Sequence, residues 1–127
     1  MVKRFANNYE QLVLSFISFK QGEGLKPSYT EDVRGRLFHV GRKCGFSTVR
    51  EITKERLMEW FLGLSAADVV TGKSILSPAS RSLYRKAVYP FLEWCIMMGH
   101  YEGDNPADNL PRPKATGIEM EAEPLVV

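Results

Sequence analysis

The sequence lacks several features that would place it in other classes. No apolar run approaches the roughly 20 residues that a membrane-spanning helix needs, and the opening MVKRFANNYE has neither the apolar region nor the cleavage site of a signal peptide. A cytoplasmic, reducing setting without a membrane partner is therefore expected. Cysteine is scarce: Cys44 and Cys95 are the only two, and each falls on the apolar side of a helical pattern, where a thiol behaves as a small hydrophobe. The sequence shows no cluster of metal-ligating residues, no glycine-rich phosphate loop, and no Ser/His or Cys/His pair in a motif context. A self-contained enzyme has little support, and neither a cofactor nor a small-molecule ligand is expected. Strand alternation, internal repeats and low-complexity tracts are missing as well, which leaves an all-α chain.

What is present suits one ordinary domain. The 127 residues, 44% hydrophobic and 25% charged, are enough for a single core. The net charge of +2 conceals an asymmetry: residues 1–100 hold 15 Lys and Arg against 9 Asp and Glu, and residues 101–127 hold 2 against 6. A basic body with an acidic tail favours a polyanionic partner for the body.

Four helices are expected. Tyr9, Leu12, Val13, Phe16 and Phe19 recur at helical spacing in a first segment from about Phe5 to Lys20. A second begins at the capping-box pair Ser28 and Glu31, carries Val33, Leu37, Val40 and Cys44 on one side, and ends near Gly45. The third starts at Thr53 as N-cap, with Ile52 stapled to Leu57 and followed by Phe61 and Leu64. Residues 65–77 read as a loop. The fourth opens with Ser77 as N-cap and Pro78 at the first helical position and stops at Gly99, with Leu83, Tyr84, Ala87, Phe91, Trp94, Cys95 and Met98 inward and a kink expected at Pro90. Four of the seven prolines lie beyond residue 100, so a turn and extended chain follow.

At 100° per residue, Arg36, His39 and Lys43 form a stripe on the second helix beside its apolar face, bordered by Gly35 and Arg42. On the fourth, Ser82, Arg85, Lys86 and Tyr89 lie opposite the apolar side, with Arg81 at the edge. Guanidinium and ammonium groups pair with phosphates, Arg can fork onto guanine, and hydroxyls donate to phosphate oxygens. Gly35 and Gly41 each cost a helix about 0.5–1 kcal/mol relative to Ala, so close approach of a helix or a phosphate backbone is expected at them.

Residues 76–114, LSPASRSLYRKAVYPFLEWCIMMGHYEGDNPADNLPRPK, resemble the end of the core-binding, SAM-like domain of tyrosine recombinases, the phage-integrase family. The Ser-Pro start, the FLEWC helix, the glycine before a short loop, and above all the Asn-Pro-Ala turn with its Pro/Lys linker carry the likeness. FANNYEQLVLSFISFK and ITKERLMEWFLGL extend it more weakly upstream. The resemblance implies a compact four-helix SAM-like domain over residues 1–110, clamping double-stranded DNA with its second and fourth helices in the major groove. Arg36, His39, Lys43, Arg81, Ser82, Arg85, Lys86 and Tyr89 become candidate contacts. Arg112 and Lys114 would lie on a Pro-rich extended linker, residues 111–127, toward a catalytic domain that carries the family's tyrosine nucleophile. That domain lies outside this sequence, so a fragment is expected, nucleoid-associated when bound to DNA and meeting other recombinase protomers in the full-length protein. His39 and Arg42 match a His-x-x-Arg active-site pattern, but they sit in the wrong domain for it, and His100 reads as a helix-end residue. The alternative is a helical protein-interaction domain without nucleic acid.

Overall fold

The computed structural model describes residues 8–64 and 78–111. Its described elements are α1 (Tyr9–Gly22), α2 (Pro27–Cys44), a 3-10 turn (Val49–Glu51), α3 (Lys54–Gly63) and α4 (Pro78–Met97). The expected loop at residues 65–77, the Ser77 cap, Arg112 and Lys114 fall outside the described residues.

Local chemistry explains most helix ends. The Asn8 side chain accepts from the Gln11 N–H to start α1, and the Thr53 hydroxyl accepts from Arg56 N–H at 3.1 Å to start α3. Gly45, at φ 75, ends α2 in the left-handed conformation that glycine adopts without strain. The expected Ser28–Glu31 capping box does not form. Pro27, whose ring presets a helical φ, starts α2 two residues earlier with Lys26 as N-cap, and the Glu31 carboxylate pairs with Arg34. A capping box appears instead around the 3-10 turn, where Glu51 accepts from the N–H groups of Ser47 and Thr48 and its pKa is lowered by those bonds.

The helices enclose one core in which aromatic rings from separate elements meet. Tyr9 is 2% exposed, packs against Phe46 and Phe91, and donates its hydroxyl to the Leu37 carbonyl at 2.6 Å. Its burial pushes the phenol pKa well up. Gly41 exists for this ring: a Cβ there would lie 2.5 Å from Tyr9 Cε2. Phe16, Phe91 and Trp94 continue the stack.

Three expected core positions are corrected in α1, in α4 and just after it. Phe19 is 40% exposed while Ile17 is buried, and Leu83 and Met98 are 41% and 53% exposed while Val88 and Leu92 are buried. The physical reason in α4 is a second layer. The chain after Gly99 turns back along the helix: Asn105 Nδ2 donates to the Tyr89 carbonyl and to Glu93 Oε2, Asn105 Oδ1 accepts from Ala107 N–H, and Ala107 and Leu110 are buried. Burial shifts toward the side that this segment covers. The helix runs through Pro90 without interruption.

Candidate nucleic-acid interface

In α2, burial of Leu37 and Val40 forces the neighbouring stripe outward, leaving Arg36 and His39 half-buried and Lys43 exposed. The stripe does not stand alone. The His39 ring lies 5.6 Å from that of Tyr84 on α4, and Tyr84 meets Trp60 of α3 edge-on at 5.5 Å. These contacts set the first turns of α4, with half-buried Arg81 and Ser82, beside the C-terminal half of α2. Lys86, exposed, borders α2 further along, sharing a groove with Tyr29, Val33 and Pro90. The structure thus joins the two helix stripes into one cationic face.

Electrostatics agree with that placement. Burial, and then the charges of Lys43 and Arg42, hold the His39 pKa below its ordinary value. Carboxylates stand at the margins: Asp32 one turn before Arg36, and Glu59 beside Lys43 and Trp60. Gly35 has no atom within 4 Å of where a Cβ would sit, so the surface between Asp32 and Arg36 is open to a close neighbour.

Arg85 and Tyr89 occupy a different place. Arg85 is half-buried, its Nε–H donates to the Leu110 carbonyl at 3.2 Å, and its guanidinium lies 5.2 Å over the Tyr89 ring. The Glu93 carboxylate, then partial burial and Asp108, push the Tyr89 pKa up. A phenol among carboxylates does not attract phosphate. Arg85 thus lies opposite the apolar side of α4 but is half-buried against the returning segment: helical periodicity cannot reveal that chain from 25 residues downstream returns to it. His100 is a helix-end residue, with its N–H on the Cys95 carbonyl at 2.8 Å and its ring against Trp94.

Arg56, Trp60 and Tyr84 went unassigned to any site in the sequence. Arg56 reaches the Cys44 and Glu51 carbonyls and covers the Phe46 ring at 4.7 Å, fastening the end of α2 to α3. The thiols are structural: burial pushes Cys95 up to about 12 and Cys44 up to about 11. Among the described residues, no group of three His, Cys, Asp or Glu could hold a metal, and no helix is long and apolar enough to cross a membrane.

No protein-family model and no curated protein sequence matches the chain. Its fold is similar to that of a solved structure, the integrase from mycobacterium phage Brujita, with a TM-score of 0.66 at 20% sequence identity over 92% of this chain. The chain spans 35% of the length of that integrase. The described helices are thus an all-α domain with the architecture of a segment of a phage integrase.

Proposed function

We propose that this chain is the DNA-clamping helical part of a site-specific recombinase of the integrase kind, gripping duplex DNA while a further domain performs strand cleavage. The observation that carries this is the His39–Tyr84 contact, because it turns two separate basic stripes into one face. Arg36, Lys43 and Lys86 hold phosphates, with His39, Arg81 and Ser82 between them. Arg85 and Tyr89 serve the exit segment instead. Residues 111–127, with Arg112 and Lys114, form the linker toward the catalytic domain, and other protomers of the full-length protein are the remaining partners.

Fluorescence anisotropy with a labelled duplex tests this reading. If Arg36, Lys43 and Lys86 each neutralise one phosphate, log affinity falls against log salt with a slope of about −2.7, a loss of roughly 40-fold between 50 and 200 mM. No covalent adduct should form on a nicked substrate, since the pKa values of Tyr9, Tyr89 and Tyr101 are all pushed up, away from the nucleophilic phenolate. Absence of binding at about 20–50 mM salt leaves a protein-interaction domain. The observation favouring that second reading is the apolar groove between α1 and α4, where Phe19 and Met97 are exposed.

A further inference from the structure

Three rings from three helices stand together on the cationic face. Tyr84 is in the middle, with His39 on one side and Trp60 on the other, at centroid distances of 5.6 and 5.5 Å. All three are half-buried, so their positions are set by packing before any partner arrives. Each also has a polar group on its ring edge. Within the described residues the His39 nitrogens, the Tyr84 hydroxyl and the Trp60 indole N–H make no hydrogen bond, and none is a buried orphan like Trp94 Nε1. The ring contacts already orient them.

The surrounding cations differ in kind. Lys43 and Lys86 are exposed chains with many rotamers, suited to a phosphate, which is met by charge from a wide range of directions. A base edge demands position, and a ring held by its neighbours loses little entropy on meeting one.

We propose, resting on the DNA-binding reading above, that His39, Tyr84 and Trp60 carry base readout in the major groove while the cations supply sequence-independent grip. Held neutral at pH 7, the imidazole offers one N–H donor; the phenol and the indole offer one each. A row of donors suits acceptor-rich purine edges, O6 and N7 of guanine and N7 of adenine. With neighbouring centroids 5.6 and 5.5 Å apart, the row reaches no further than about three base-pair steps of roughly 3.4 Å.

Selection of bound duplexes from a randomised pool, read by sequencing, tests the assignment with the full 127-residue chain and its Tyr84→Phe and Lys43→Ala variants. Tyr84→Phe keeps the ring and its packing and removes one hydroxyl, and a melting curve confirms that the fold is retained. The wild type should enrich two or three adjacent purine positions. Tyr84→Phe should lose about tenfold in preference at one of them with its salt slope unchanged. Lys43→Ala should lower the slope by about one and leave the enriched sequence as it was. A wild type that binds without base preference, or a Tyr84→Phe variant with unaltered preference, overturns the readout assignment and leaves DNA binding standing. Failure of every duplex to bind overturns the DNA reading, and this inference with it.

Discussion

Arg85→Ala separates a cation that holds the protein together from one that holds a ligand. The substitution removes the Nε–H bond to the Leu110 carbonyl and the guanidinium from the Tyr89 ring. Leu110 is 3% exposed and Ala107 is fully buried, so the carbonyl belongs to a segment that is part of the core. A hydrogen bond from a charged donor contributes about 1.5–3 kcal/mol when well buried; because Arg85 is only half-buried, about 1–2 kcal/mol is the expected loss. For a domain of this size, 1 kcal/mol corresponds to roughly 4–8 °C in Tm, so differential scanning calorimetry should show a fall of about 5–15 °C. Arg85→Lys should recover only part of it, since an ammonium lacks the guanidinium's planar fork. Salt-dependent binding should keep its slope in both variants that remain folded. An unchanged Tm together with a slope lowered by one would refute the reasoning, because it would mean that the guanidinium serves a phosphate and the Leu110 bond contributes nothing.

Gly35→Ala and Gly41→Ala should move stability in opposite directions. The first meets open space and gains about 0.5–1 kcal/mol of helix propensity, whereas the second drives a methyl against the immobile Tyr9 ring and costs about 1–3 kcal/mol; urea melts of the pair decide. Ala87, 1% exposed, faces the core, so Ala87→Asp buries an unpaired charge, and far-UV circular dichroism at 25 °C should show loss of the folded state. His39 gives a pH dependence of known sign. Its folded pKa lies below the unfolded value of about 6.5, so the unfolded chain binds more protons just below pH 6.5 and stability falls as pH drops through that window. Duplex phosphates favour the imidazolium, so DNA affinity should rise over the same drop, and His39→Gln should flatten both trends in parallel melting and anisotropy titrations.

The sequence alone determined the class, the helices and most of the faces. Proline and glycine punctuation marked the ends of α2 and α4, because their backbone preferences act within one or two residues. Apolar periodicity placed Leu12, Val13, Leu37, Val40, Leu57 and Phe61 inside, since each of these helices has one partner-facing side. It also marked Arg36, His39 and Lys43 as an outward stripe. Tertiary structure decided what depends on chain far away. Residues 105–110 return over α4 and partly cover Arg85 and Tyr89, and Pro27 overrides the local capping signal at Ser28. The meeting of His39, Tyr84 and Trp60 was likewise hidden, because a helical wheel orders side chains around one axis and contains nothing about which helices cross, or where.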